Sequence, residues 1–229
     1  MKLIKGECDT SRTFIYQHCL REWWPAIDSN RKIYQFKKGE KIFAEGDNVE
    51  GVFFMVKGVS KVHKYWKDDK ELIIRFAREN DIIGHRGLST RSTVYPVTAT
   101  ALTDGIVCFI SLDFFKMSLR VNTDFSYSFL MFFADELHLS EQRMRDLAHM
   151  PVKGRVAQAL INLEKKFSTD ADGFISYAVS RQDIAAYTGA AYETVYKILT
   201  EWTETGIIKT DSKKIAVINP SALSEMISA

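Results

Sequence analysis

The stretch that decides the reading is VSRQDIAAYTGAAYETVYKILTEWTETGIIK, from Val179 to Lys209. Ser180 followed three residues later by Asp183 has the spacing of a capping box, with Asp in place of Glu or Gln. It opens a short helix through Ile184, Ala185 and Ala186, whose small side chains allow close packing. Thr188-Gly189-Ala190 is a turn, and Gly189 can take a positive φ because it has no Cβ. A second helix is expected from about Ala191 to Thr205. Its spacing gathers Val195, Ile198, Leu199 and Trp202 on one face and turns Tyr192, Glu193, Tyr196 and Lys197 the other way. Two short helices about a glycine turn, the second with an exposed polar front, make a helix-turn-helix. The second helix of such a unit fits the major groove of duplex DNA, and its first turns reach base edges. Gly206 to Lys209, a polar turn at Asp211–Lys214, and Ile215 to Ile218 read as a two-stranded wing. The same helix pair also serves in proteins as a plain packing motif.

Charge adds a condition. From Val152 to Ala229 nine Lys/Arg face nine Asp/Glu. Phosphate affinity must then come from local clustering of Arg181, Lys197, Lys209, Lys213 and Lys214, and nonspecific duplex binding is expected to be weak.

Upstream, a helix is expected from about Asp124 to Ala148, with cap chemistry in Asn122-Thr123-Asp124. One apolar stripe reads Leu130, Phe133, Leu137, Ser140, Met144, Leu147, and a second carries Phe125, Phe129, Phe132 and Leu139. A helix apolar on two faces has two surfaces to cover. One can pack on the preceding strands. The other suits an identical helix across a two-fold axis, or burial within one chain. Met150-Pro151 interrupts the pattern, because proline lacks an N–H and clashes with the preceding turn, so Pro151 is the candidate hinge. Helical period resumes from Val152 to Phe167.

From Lys32 to Ile110 the pattern is one of short strands. Ile42, Phe53, Phe54, Val56, Val59 and Val62 lie among glycines at 39, 46, 51 and 58, which suggests an antiparallel sandwich or barrel. Trp66 to Lys70 reads as a hairpin tip, with Leu72-Ile73-Ile74 on the return strand. The 229 residues, 46% hydrophobic and 26% charged, suit one large or two smaller globular domains and exclude a disordered chain. The longest apolar run, Phe129 to Ala134, is far short of a membrane span, and Met1 to Glu7 lacks the apolar core of a signal peptide. Three cysteines are too few for a disulfide scaffold and point to a cytoplasmic protein.

Beyond these patterns, the chain resembles the catabolite activator and fumarate–nitrate regulator (CRP/FNR) superfamily of bacterial transcription regulators. The resemblance rests on KKGEKIFAEGDNVEGVFFMVKGVSKV at Lys37–Val62, the ENDIIG turn at Glu79–Gly84, the long helix, GRVAQALINL at Gly154–Leu163, and SRQDIAAYTG with ETVYKIL. It implies an α+β chain in four parts: an N-terminal helical segment at 1–30, a cyclic-nucleotide-binding-like β-roll (a jelly roll) at 31–122, a dimerisation helix at 123–150, and a winged helix-turn-helix at 151–229. It also implies a homodimer on a near-palindromic operator, with half-sites about 34 Å apart, and RNA polymerase as a further partner. In the family the recognition helix commonly reads bases through a glutamate and, four residues later, an arginine. Here these are Glu193 and Lys197, and Tyr192 replaces the arginine before the glutamate. Arg181, Tyr196 and Lys213 complete the expected DNA contacts.

The resemblance is poorest at the effector pocket. Placing Ile82-Ile83-Gly84 on the family's turn puts His85 where cyclic AMP binders carry a glutamate for the ribose. Tyr95 and Pro96 stand where an arginine and a serine meet the cyclic phosphate, and Ser140 and Glu141 where a threonine–serine pair meets the base. A buried phosphate without its arginine is an unpaired charge in a poor solvent, so cyclic AMP is not expected to bind. Arg86 and Arg91 are the residues available to substitute.

No cofactor is expected. Cys8, Cys19 and Cys108 are one thiolate short of the usual iron–sulfur set. Haem through His18, His63 or His85 is an alternative that no spacing singles out, and no metal-ligand cluster is evident. No phosphate loop, catalytic triad or metal motif suggests an enzyme. The main expectation is a DNA-binding regulator in which the sensor's state biases the helix at 124–148 and the DNA unit through Pro151. The alternative is a small-molecule or haem-binding module whose helix-turn-helix serves protein interaction.

Overall fold

The structure, a computed structural model, describes residues 1–4, 8–67 and 70–228. The chain divides into two compact units, Met1–Lys64 with Ile74–Leu137, and Tyr65–Ile73 with His138–Ala229.

The first unit is built on antiparallel sheets. β1 (Lys2–Ile4), β2 (Arg31–Phe36), β4 (Gly51–Lys57), β7 (Ile82–Ile83) and β9 (Gly105–Ser111) form one sheet in the order β1-β2-β9-β4-β7. β3 (Lys41–Phe43), β5 (Ser60–Trp66), β6 (Lys70–Ala77) and β8 (Thr98–Ala101) form a second in the order β3-β8-β5-β6. The hairpin tip expected between β5 and β6 includes Asp68 and Asp69, which lie outside the described residues.

Strand alternation explains the core. In β4, Phe53 and Met55 join Val107 and Phe109 of β9 in a cluster with Ile42, Phe43, Val62 and Ala99 from the other sheet. Val52 and Phe54 point the opposite way, with Cys108 and Ile110, into a second cluster roofed by helices. The central strands are thus apolar on both faces. The roof comes from α1 (Phe14–His18), α2 (Trp24–Asn30), α3 (Leu112–Val121) and the start of α4 (Thr123–His149). Phe125 and Phe129 of α4 pack on Phe115, with ring centroids 5.6 and 5.1 Å apart.

Two local readings change. The N-terminal segment expected to be helical opens with β1, which pairs Leu3 with Tyr34 and so supplies an edge strand. Asn122 does not spend its side chain capping α4. Its Oδ1 accepts from the Leu20 amide at 3.1 Å and its amide donates to Ser118 O, tying the α3–α4 turn to the N-terminal segment.

In the second unit, α5 (Val152–Phe167) buries Val156, Leu160 and Leu163. α6 (Arg181–Thr188) and α7 (Tyr192–Glu204) follow, then β10 (Ile208–Asp211) and β11 (Lys214–Val217), an antiparallel pair. α8 (Pro220–Ser228) closes on α5, where Gly154 leaves room for its backbone. The proline boundary is sharp. α4 ends at His149, and Pro151 is the extended N-cap of α5. Its lack of an N–H costs nothing there.

Candidate nucleic-acid interface and sensor cluster

The helix pair forms as its residues require. Ser180 Oγ accepts from the Asp183 amide at 3.0 Å and donates to its carboxylate at 2.6 Å, so the short acidic cap is satisfied. Gly189 ends α6 at φ +62°. Val195, Ile198, Leu199 and Trp202 of α7 are buried, and Trp202 is fully enclosed. The opposite face carries Tyr192, Glu193, Tyr196 and Lys197, all exposed. Tyr192 and Tyr196 are ring neighbours, 6.2 Å between centroids, and the Arg181 guanidinium lies 5.1 Å from the Tyr196 centroid. Ala191 provides no side-chain cap, so the first turn of α7 presents backbone N–H groups. In the wing, Lys213 is exposed, whereas Lys214 binds Asp170 at 3.0 Å.

Two arginines that pattern reading did not single out hold this unit together. Arg155 donates to Thr188 O and Met150 O, each at 2.9 Å. Arg143 of α4 donates to Tyr187 O at 2.5 Å and to Ile73 O, with its guanidinium 4.3 Å from the Tyr187 ring centroid.

The first unit holds a buried ionic cluster. Gly84 takes φ +83°, and a Cβ there would meet Phe53 and Tyr95 at 3.3 Å. The turn delivers His85, 2% exposed, against Phe132 and Phe133 of α4, with ring centroids 4.8 and 5.6 Å away. Glu136, one turn along α4, accepts from Arg86 at 2.9 Å and Arg75 at 3.2 Å, and His85 Nε2 stands 3.5 Å from it. Arg75 also donates to Ile82 O. Burial pushes the His85 imidazole down to about 4, so it is neutral near pH 7. Burial alone would raise Glu136, but His85, Arg75 and Arg86 outweigh it and hold the carboxyl at about 2.

Of the expected pocket residues, Gly84, His85 and Arg86 meet in this cluster. Tyr95 is buried, stacks on Phe43 at 4.3 Å, and donates its hydroxyl to Gly51 O at 2.8 Å. Pro96 and Arg91 are exposed. Ser140 and Glu141 belong to the second unit, the first half-buried and the second exposed. Arg75 and Glu136 were missed. The signals were a charge inside the apolar run Leu72–Phe76 and another following the phenylalanines of α4.

His18 packs on Phe14, and His63 bonds Thr100 Oγ1 at 2.8 Å. Cys8, Cys19 and Cys108 are free thiols. Among the described residues no group of three or more His, Cys, Asp or Glu is arranged to hold a metal, and no helix is long and apolar enough to cross a membrane.

A β domain followed by a long helix and a winged helix-turn-helix defines a class of DNA-binding regulators. The model of cyclic nucleotide-binding domains matches residues 33–121, and that of Crp-like helix-turn-helix domains matches residues 154–226. The chain belongs to the CRP/FNR family of transcription regulators, and it is a DNA-binding protein, not an enzyme. It is 27% identical to the cAMP-activated global transcriptional regulator CRP of Salmonella typhimurium, over 95% of this chain and 98% of that one. It is 29% identical to the global nitrogen regulator of Synechococcus elongatus, over 86% and 90%. It is 28% identical to the anaerobic regulatory protein of Bacillus subtilis, over 84% and 80%. The fold also matches FixK2 from Bradyrhizobium japonicum, with TM-score 0.78 and 23% identity over 87% of this chain and 98% of that one.

Proposed function

We propose that the protein is a cytoplasmic regulator that binds a near-palindromic operator as a homodimer and answers an effector other than cyclic AMP. The observation that carries the reading is the division of α7. Its apolar face is buried, and Glu193 and Lys197 stand exposed on the opposite face with Tyr192 and Tyr196. Glu193 accepts from a cytosine amino group and Lys197 donates to guanine O6 or N7. Tyr192 and Tyr196 meet thymine methyls or the backbone. Arg181 and Lys213, with the uncapped start of α7, take phosphates.

A second copy of the chain is supported by α4. Leu130, Leu137 and Met144 recur every seven residues at 61%, 60% and 68% exposure. A row of that spacing and exposure suits an identical helix, as in a parallel coiled coil. The domain division at 30/31, 122/123 and 150/151 goes with this reading. Pro151 is the flexible joint, and RNA polymerase is the further partner.

Cyclic AMP does not suit the sensor. The residue standing for the phosphate arginine is Tyr95, whose hydroxyl is committed to Gly51 O. The residue standing for the ribose carboxylate is His85, neutral and enclosed by phenylalanines. Haem at His85 is disfavoured because its Nε2 faces the Glu136 carboxylate.

Selection from a random duplex pool at low salt tests the reading. The full-length protein is expected to enrich a two-fold-related pair of half-sites, and Glu193→Ala with Lys197→Ala to lose that enrichment. Absence of enrichment by the wild-type protein overturns it, and an operator lacking two-fold symmetry overturns the dimer.

A further inference from the structure

In the second unit two helix C-termini meet at one side chain. Arg155 lies near the N-terminus of α5, the end of its own helix that least favours a cation. Its guanidinium serves two other helices. Nε donates to Thr188 O, the last carbonyl of α6, at 2.9 Å. Nη1 donates to Met150 O at 2.9 Å and reaches Leu147 O, in the last turn of α4, at 3.4 Å. The last carbonyls of a helix have no partner within it and carry the negative end of its dipole, so a shared cation satisfies both ends at once. Arg143 of α4 does the same one residue earlier in α6, at Tyr187 O. Gly189, the C-cap of α6, lies so close to α4 that a Cβ would stand 2.9 Å from Leu147 Cδ2. These contacts span the corner at Met150-Pro151, where Pro151 has no N–H to carry the backbone ladder onward.

We propose that Arg155 is a positioning residue for operator binding. It clasps the end of α6 to the end of α4, so the corner at Pro151 turns only when the clasp opens. α7 follows α6 through the Gly189 turn and therefore faces DNA in one fixed direction relative to α4. Arg155 acts through that direction and not by touching DNA. Its contribution is preorganisation, because each copy meets its half-site without first having to order the corner. The same direction sets the distance and rotation between half-sites, since α4 is the element on which two copies pair. The inference rests on the proposed homodimer for that readout.

One base pair added or removed between half-sites moves one of them by about 3.4 Å and turns it by about 35°. Full-length wild type, Arg155→Met and Arg155→Lys are titrated by fluorescence anisotropy onto the operator that wild type selects. The same proteins are titrated onto that operator with one base pair inserted or deleted at its centre, and onto a duplex carrying a single half-site. Wild type is expected to bind the altered spacings more weakly. Arg155→Met is expected to bind the selected operator roughly tenfold more weakly than wild type, and to lose most of the discrimination between spacings. It is expected to match wild type on the single half-site, whose base contacts it leaves intact. Arg155→Lys keeps the charge without the rigid fork and is expected to fall between the two. Equal weakening on every duplex, the half-site included, would show a merely structural role and overturns the proposal, as does wild-type spacing discrimination in Arg155→Met. Should Arg155→Met fail to unfold cooperatively, Arg155→Lys decides: reduced discrimination supports the clasp, and unchanged discrimination overturns it. Failure of wild type to enrich paired half-sites sinks the dimer and the clasp together, whereas a paired operator whose spacing Arg155→Met reads as wild type does sinks the clasp alone.

Discussion

His85 Nε2 lies 3.5 Å from the Glu136 carboxylate, in a cluster where the imidazole is neutral and the carboxyl ionised near pH 7. Both groups titrate below their ordinary values, so in both cases the unfolded chain takes up a proton before the folded one does. His85 falls from 6.5 to about 4. Its contribution is therefore complete above pH 6.5 and is lost as the pH falls through about 4, a loss on the order of 3 kcal/mol. Glu136, ordinarily 4.5 and here about 2, adds a further loss below 4.5. Urea unfolding of wild type and His85→Gln at pH 7, 5.5 and 4 checks this. The variant is expected to lose markedly less stability than wild type between pH 7 and 4, and parallel losses would show that His85 does not titrate as described.

Gly154 gives α8 its seat on α5. A Cβ at this position would stand 2.8 Å from Met226 O and 2.9 Å from Met150 Cγ. The nearest atom is backbone, so the helix itself has to move. Gly154→Ala is expected to destabilise the second unit by about 1–3 kcal/mol, despite the better helix propensity of alanine. Thermal unfolding measures it, and an unchanged midpoint would mean that α8 accommodates the methyl group.

The helix-turn-helix was legible because local chemistry and tertiary packing agree there. Ser180 and Asp183 cap α6, Gly189 takes the left-handed conformation, and the buried face of α7 holds Val195, Ile198, Leu199 and Trp202. The β-roll strands were legible from their glycine punctuation, and the two-sided burial of β4 and β9 explains why they read as continuous apolar runs. The ionic cluster was not legible. Arg75, His85 and Glu136 are separated by 10 and 51 residues and meet only through tertiary structure. Spacing arguments carried from cyclic AMP binders pointed to Ser140 and Glu141 instead. Leu139, assigned by spacing to the second apolar stripe of the long helix, is 58% exposed, so the spacing alone did not say which of the stripe's residues are buried.

Arg143 satisfies two carbonyls at once, those of Ile73 and Tyr187. Arg143→Met keeps the aliphatic stem but withdraws both donors and the guanidinium over Tyr187. A cost of about 1–3 kcal/mol is expected from carbonyls left short of a partner, and urea unfolding measures it. No change would indicate that water replaces the guanidinium at both oxygens.

The proposed misfit of cyclic AMP makes a direct prediction. A ligand that binds only the folded state raises its stability by an amount fixed by concentration over Kd. Cyclic AMP at about 1 mM is expected to leave the unfolding midpoint unchanged within roughly 1 °C, because only a Kd well below that concentration produces a clear shift. A saturable rise in the midpoint would mean that Arg75 or Arg86 serves the cyclic phosphate, and the unfit pocket argued for Tyr95 and His85 would be wrong.

The resemblance puts Lys197 at the position where the family commonly carries an arginine, and the difference is chemical. An ammonium is a point charge with rotatable donors, whereas a guanidinium presents a rigid fork matched to guanine O6 and N7. Lys197→Arg is therefore expected to sharpen discrimination at one base pair per half-site by about 1–3 kcal/mol. It should leave the salt dependence of binding nearly unchanged, because the side-chain charge is conserved. Lys213→Ala should do the reverse, lowering the salt slope by about 1 with little change in base preference. Competition binding on single-substitution operators, repeated at several salt concentrations, separates the two. If Lys197→Arg weakens all operators equally, Lys197 contacts the backbone, and base reading falls to Glu193 and the two tyrosines beside it.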